Sequence, residues 1–393
     1  MTRVVIAGGG LVGRMTALQL AQSEAVTSVQ IFDPNPVTST EANALDVRST
    51  ALSAGTLNEL VRLGISAQQL DAQPISGIHV SASQHFGGIA LQAQEINQTH
   101  FGAVVENHKL LNALSRQIAS EPTIQAGRVA AISKFAVVEN GIQLETSLGD
   151  KQEAKLLVIA DGAKSQLLKQ AGIAVDNTDY QQLALVFNVA LKKPHQGVAR
   201  ERFADGKPLA LLPLTQQRYA AVWCVSPERA KSLIALSEDA FIERFEAAAT
   251  LRFGGVAEIG KIASFPVAAQ QAQELFRRGV AVIGNAAHTL HPVAGQGFNL
   301  CVRDGAKLAS ALEAYAWPQS YSSLTHWHQA VHQDQALVFN ACDQLVRSFA
   351  VPSRFASVAR SSAMLTLASL PVLREEFLLR AAGLHPTQQG LSL

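Results

Sequence analysis

Cysteine is scarce in this chain: three in 393 residues, at Cys224, Cys301 and Cys342, with no CxxC pair. Sparse, odd-numbered cysteine excludes a disulfide framework and fits a reducing compartment, so a cytoplasmic location is expected. Charge is also low. Asp, Glu, Lys and Arg make up 16% of the residues, against roughly 25% in an ordinary soluble domain, so part of the surface is expected to be apolar or covered by a partner. Neither sign dominates, with 32 Lys and Arg against 31 Asp and Glu and no basic block; no nucleic-acid footprint is expected. No uncharged run resembles a membrane-spanning helix. The N-terminal "MTRVVIAGGGLVGR" breaks into glycines rather than a cleavage site, unlike a signal peptide. Repeats and low-complexity tracts are missing. So are GxSxG and HExxH, and "DGAKS" lacks the Gly-Lys-Ser/Thr of a phosphate loop. His328 and His332, one helical turn apart, have no matched third ligand, so a solvated helix face is expected there and no metal site.

What is present is apolar and organised. Hydrophobic residues make up 48% of a chain longer than the roughly 250–300 residues of a single core, so two domains or one elaborated domain are expected. "RVVIAGGGLVGRMTALQLAQS" reads as a Val/Ile strand, a glycine turn, and a helix with Leu11, Met15, Leu18 and Leu20 at helical spacing. Gly8, Gly10 and Gly13 form G-x-G-x-x-G. The first permits a tight turn, the second lets backbone N–H groups approach a pyrophosphate, and the third lets the helix pack on the strand. A second strand, "SVQIFDP", ends on Asp33, twenty residues beyond Gly13, where a carboxylate can accept from ribose hydroxyls. This is a Rossmann-like start, and by itself it leaves NAD and FAD both open.

Two further strands end in polar loops. Leu156 to Ala160 runs into Asp161-Gly162, and "GVAVI" runs into "GNAAHTLHPVAGQGFNL" (284–300) before a helix from about Phe298. In a parallel sheet the carboxyl ends of strands form one binding edge, so three such junctions can converge on one extended cofactor. In the last loop His291-Pro292 imposes an extended entry. Gly295, Gln296 and Gly297 precede a helix whose N–H groups suit a negatively charged part of a bound cofactor. His288 and His291 read more readily as structural histidines than as bases.

The sequence resembles the single-component FAD-dependent aromatic hydroxylases, and within them the ubiquinone-biosynthesis hydroxylases. The resemblance is carried by GxGxxG with Asp33, "DVRSTALSAGTL" at 46–57, the "DG" segment at 161–165, "ERFADGKPLALLPL" at 201–214, and the segment from Gly284 to the Arg303-Asp304 pair. The most similar branch acts on 2-polyprenyl-6-methoxyphenol. The resemblance implies that Gly8, Gly10, Gly13, Asp33 and Arg48 hold the ADP half of FAD, and that Asp161, Gly162, Gly284, Asn285 and Asn299 complete the cofactor site. His291, Pro292, Gly295, Gln296 and Gly297 would form the flavin cradle, with no catalytic side chain assigned. Two residues depart from the wider pattern. Gly284-Asn285 replaces Gly-Asp, as in the methoxyphenol branch, and Leu168 stands where Arg is common. The implied reaction uses NAD(P)H to reduce FAD, then O₂ through a flavin C4a-hydroperoxide, to hydroxylate the ring of a polyprenylated phenol. An FAD reductase or oxidase without oxygen insertion, or a non-catalytic flavoprotein subunit of a quinone-synthesis complex, remains an alternative.

The expected fold is α/β, a Rossmann-like FAD-binding domain of the glutathione-reductase-like type with a β-sheet substrate domain and a C-terminal helical tail. The FAD-binding domain would use 1–72, 99–178 and 268–345, and the substrate domain 73–98 and 179–267, where "LALVFNVAL", "LALLPL" and "RYAAVWCV" read as strands. Residues 346–393, apolar but cut by Pro371, read as two helices, in the core or in peripheral contact. Because a polyprenyl phenol lives in the bilayer, weak peripheral contact with the inner membrane face through Met364–Leu384, or delivery by a protein complex, is expected rather than insertion.

Overall fold

The computed structural model describes residues 2–35, 48–83, 88–250, 255–315, 320–350 and 371–385. The strand Thr2–Ala7 lies inside a six-stranded sheet, ordered Phe276–Arg277, Val280–Val282, Leu156–Ile159, Thr2–Ala7, Val26–Asp33, Ile124–Val129. Every pairing is parallel except the hairpin that closes one edge. Its central strands are continuous apolar runs, as strands covered on both faces must be: Val4, Val5, Ile6 and all of Leu156–Ile159 are fully buried. Met15, Leu18 and Leu20 of the helix Leu11–Ala21 join the same core, together with Ile132, Ile142 and Leu144 of a three-stranded antiparallel sheet. That helix is buried on nearly every side, which explains its near-continuous apolar sequence. From Thr2–Ala7 the chain crosses to Val26–Asp33 on one side, and Leu156–Ile159 pairs on the other. The order reverses there and opens a crevice at the carboxyl ends.

A nine-stranded sheet contains Gly77–Ala82, Gly88–Gln92, the 17-residue Val175–Leu191, Val198–Ala204, Lys207–Leu214, Arg218–Val225, Val256–Ile259, Ala263–Ala272 and His288–Thr289. Alternation sends Leu185, Phe187, Tyr219 and Trp223 to one face, where Phe241 and Phe245 of the helix Glu238–Ala249 stack edge-on against Phe187 at 5.3 and 5.1 Å. The other register of the strands supplies Ala184, Cys224 and Phe203 to separate apolar clusters. The small strand His288–Thr289 pairs with Ala263–Ala272, so a segment grouped by sequence with the cofactor unit hydrogen-bonds to the larger sheet. Its two residues are too few to read as a strand.

The helix Gly297–Ala314 begins within a residue of expectation, and Ser320–Ala350 runs on beyond 345. In the tail, Pro371 starts a helix, Pro371–Ala381, as a first turn tolerates proline. Leu378 and Ala382 are fully buried against Ile89, Leu91 and Phe101. The other helix read in the tail falls in 351–370, outside the described residues.

Candidate functional site

The three strand-to-loop junctions meet. Gly8 has φ +111°, and a β-carbon there would stand 2.3 Å from the Ala160 carbonyl oxygen, so the first glycine lies directly against the Asp161-Gly162 turn. Gly284 has φ +67°, and its missing β-carbon would press on Val12 at 3.0 Å. The third junction therefore abuts the start of the first helix. Gly13 is needed for packing, since a β-carbon would come within 1.9 Å of the Gly8 carbonyl oxygen. Gly10 differs: it is exposed, and no protein atom lies within 4 Å of where its β-carbon would stand. It heads a helix with no side-chain cap and no acidic residue in its first turn among the described residues. Such a helix start offers N–H groups to an anion.

Asp33 ties the second strand to this turn. One carboxylate oxygen accepts from Gly9 N–H at 2.7 Å, the other from Asn35 N–H at 2.8 Å. The second of these oxygens also accepts from Asn35 Nδ2 at 3.2 Å, so it is the oxygen facing Gly9 that keeps a lone pair for a ribose hydroxyl. Sequence reasoning passed over Arg14, which is 4% exposed beneath the glycine turn. Its Nε donates to the Gly9 carbonyl at 2.6 Å, and its Nη1 reaches Ser115. Burial lowers its pKa while the Asp33 charge opposes the shift. The available signal was a lone charged residue inside an apolar helix, directly after the last glycine.

Arg48 is exposed at the start of the strand Ser49–Ser53, and Asp46 and Val47 of the same motif lie outside the described residues. The Asp161 side chain retains exposed surface, yet burial among surrounding atoms pushes its carboxyl above the ordinary value, against a hydrogen bond with Ser165. Leu168, where the wider pattern has Arg, is 2% exposed in the core and receives a backbone cap from Ser165. Its position accounts for an apolar residue there. Asn285 is exposed in a short turn, Gly284–Ala286.

At the last loop Pro292 and the turn Val293–Gly295 lead into the helix Gly297–Ala314, again without a side-chain cap or an early acidic residue among the described residues. A β-carbon on Gly297 would meet nothing within 4 Å. Asn299 is 1% exposed and bonds to backbone: it accepts from Ser53 N–H at 2.9 Å and donates to the Ala51 and Gly295 carbonyls at 2.9 and 3.2 Å. It therefore holds the loop against a neighbouring strand. Below, His288 Nε2 meets Asp304 Oδ2 at 2.7 Å, Gln335 donates to the same oxygen at 2.9 Å, and Trp327 donates to the Asp304 carbonyl at 2.9 Å. His291 is 2% exposed, and burial pushes its pKa down to about 4. Neutral and enclosed, it is not a reservoir of charge. Val293 and Leu300 from this loop and helix share an apolar cluster with Ala82 and Phe203 of the nine-stranded sheet and Val338, Cys342 and Val346 of the helix Ser320–Ala350. A surface recess bounded by Arg3, Glu139, Gly141 and Lys155 contains none of the predicted site residues. Among the described residues no group of three His, Cys, Asp or Glu is placed to hold a metal ion.

Open backbone at Gly10 and Gly297, each at a helix start without a side-chain cap, suits the phosphates and ring edge of a dinucleotide such as FAD, and with the glycine turn on a parallel sheet it marks a dinucleotide-binding protein. Residues 1–326 match the family described as FAD binding domain. The chain is 30% identical to ubiquinone hydroxylase UbiL of Rhodospirillum rubrum over 97% of its length and 89% of the relative's. It is 29% identical to 3-demethoxyubiquinol 3-hydroxylase of Escherichia coli over 98% and 99%. The p-nitrophenol 4-monooxygenase of Pseudomonas putida shares the fold, with a TM-score of 0.77, 17% identity and 100% of each chain covered. The chain belongs to the FAD-dependent monooxygenases, in the family of the ubiquinone-biosynthesis hydroxylases.

Proposed function

We propose that the protein hydroxylates the aromatic ring of 2-polyprenyl-6-methoxyphenol, with NAD(P)H as electron donor and O₂ as oxygen source. The observation that carries this reading is the junction of the loop His291–Gly297 with apolar side chains of the nine-stranded sheet. A prenylated ring fits an apolar wall, and the wall excludes water from oxygen chemistry. In this reading the N–H groups around Gly8, Gly10 and Gly13 cradle the pyrophosphate, and Asp33 and Arg48 serve the adenosine end. Asp161, Gly162, Gly284 and Asn285 line the middle, and Gly295, Gln296 and Gly297 lie against the flavin. Asn299 acts through the Gly295 carbonyl. Bound FAD supplies two-electron reduction and activation of O₂. Pro292 and the helix start at Gly297 orient the ring system. A second reading, hydroxylation of demethoxyubiquinol, is favoured by the name of the Escherichia coli relative.

The reading includes a cytoplasmic enzyme that meets its lipid-soluble substrate by peripheral membrane contact or through a quinone-synthesis complex. No helix of the described residues is long and apolar enough to cross a membrane. The FAD-loaded protein is incubated with NADH or NADPH, ¹⁸O₂ and each of the two phenolic substrates carrying a short prenyl chain. One ¹⁸O atom is expected in the methoxyphenol product. Nicotinamide oxidation without oxygen incorporation into either substrate defeats the proposal in favour of a reductase or oxidase.

A further inference from the structure

His291 sits where the flavin loop meets the substrate sheet, and half of its hydrogen-bonding capacity is unused. Its Nδ1 accepts the Val293 N–H at 3.2 Å, closing the turn behind Pro292. A neutral imidazole that accepts through Nδ1 carries its proton on Nε2, and burial keeps this ring neutral. Nε2 has no hydrogen-bond partner, although the residue is 2% exposed. Buried donors without an acceptor are rare in folded proteins and call for an explanation.

The surroundings narrow what the acceptor is. The ring stands edge-on to Tyr180, with centroids 4.9 Å apart and planes at 89°. Tyr180 packs against two apolar clusters, one holding Phe203 and Val293 and the other Ala184 and Cys224. Its hydroxyl donates to Asp343 at 3.2 Å and makes no hydrogen bond to His291 Nε2, which meets the ring of Tyr180 edge-on. A ligand lying against these side chains is apolar in the main and needs an oxygen near His291.

We propose that the Nε2–H of His291 binds the phenolic oxygen of the aromatic substrate and so sets which ring carbon faces the flavin. The assignment rests on the aromatic hydroxylase function proposed above. No proton is transferred: nitrogen keeps its hydrogen and the oxygen accepts. A neutral donor holds the phenol oxygen in place, with its own proton retained, and adds no charge to an apolar wall.

The test is a thermodynamic cycle on FAD-loaded enzyme. The probes are a 2-methoxyphenol bearing one prenyl unit and the same compound without its hydroxyl, with binding read from the flavin absorbance. The first variant is His291→Asn, whose side-chain oxygen can still accept from the N–H two residues on but whose amide stops short of the Nε2 position. Wild type is expected to bind the phenol about tenfold more tightly than the deoxy compound, and His291→Asn to lose that preference while keeping its FAD. The variant should also show a raised KM for the phenol and more hydrogen peroxide per NAD(P)H consumed. His291→Gln, with a longer amide donor, should recover part of the preference, and it serves as the variant of record should His291→Asn fail to fold. Equal losses for both probes, or a wild type without the preference, overturn the assignment. Wild type that neither binds nor hydroxylates the phenol overturns the function together with it, whereas hydroxylation with equal losses overturns this contact alone.

Discussion

A methyl group added at Gly13 would lie 1.9 Å from a carbonyl oxygen, whereas one added at Gly10 would meet no protein atom within 4 Å. The two substitutions therefore fail differently. Gly13→Ala should destabilise the fold by about 1–3 kcal/mol or more, as overpacking against backbone does. Gly10→Ala should change the stability of the FAD-free protein by about 1 kcal/mol or less and lower FAD affinity at least about tenfold. Thermal melts with and without FAD check both, and equal destabilisation of the two FAD-free variants would contradict this division. His291 makes a prediction in pH. Its folded pKa, about 4, lies below the ordinary 6.5, so the unfolded chain binds the extra proton first as pH falls. The stability it contributes is complete above about 6.5 and is lost between there and about 4, by roughly 2–4 kcal/mol in all. Urea midpoints of wild type should fall more steeply from pH 7 to 5 than those of His291→Asn; parallel curves would contradict the shift. The glycines were legible because their spacing reports backbone geometry directly. The tautomer of His291 and the bonds of Arg14 were not, because both depend on burial by segments distant in sequence.

Between elements, the helices Gly297–Ala314 and Ser320–Ala350 are joined by Arg303 and Asp334, 2.7 Å apart and with side chains 9% and 6% exposed. Burial would raise the Asp334 carboxyl, but the Arg303 hydrogen bond and the Lys307 charge hold it below the ordinary carboxylate value. Removing one partner leaves the other charge stranded. Asp334→Ala should cost about 3–5 kcal/mol by chemical denaturation, while Arg62→Ala, which removes the half-exposed partner of the Glu59–Arg62 pair, should cost about 1 kcal/mol or less. Similar losses for both would refute the distinction. At this scale strands and helix starts were largely readable, since apolar alternation in "LALVFNVAL" and "RYAAVWCV" and the change of period after Gly297 are local signals. His288–Thr289 was not, because two residues carry no period and their pairing is decided by a strand elsewhere. Pro371 was readable as a boundary, because proline suits the first turn of a helix and not its interior.

Across the whole molecule, the end of the chain closes back on the site near its beginning. Gly55 N–H donates to the Ala382 carbonyl at 3.0 Å, next to Ser53, whose N–H in turn engages Asn299 and thereby the Gly295 loop. Deleting the residues after Ala350 removes the buried Leu378 and Ala382 and should destabilise the protein by about 2–5 kcal/mol or cause aggregation, with loss of FAD. A truncated protein that keeps its FAD and stability but no longer pellets with membranes would instead assign this segment to docking. Neither contact was visible in the sequence, where Gly55 and Ala382 are merely two small residues far apart. The sheet order has a further consequence, for the birth of the chain. Thr2–Ala7 is made about 150 residues ahead of one of its neighbours, Leu156–Ile159, and further still ahead of the strand beyond that, Val280–Val282. At about 5–20 residues per second, the first strand spends roughly 7–30 s with an unpaired edge during translation. The apolar "VVIA" segment therefore has to be shielded at the ribosome over that interval. Slower elongation before residue 156 prolongs the exposure without changing an atom of the finished enzyme.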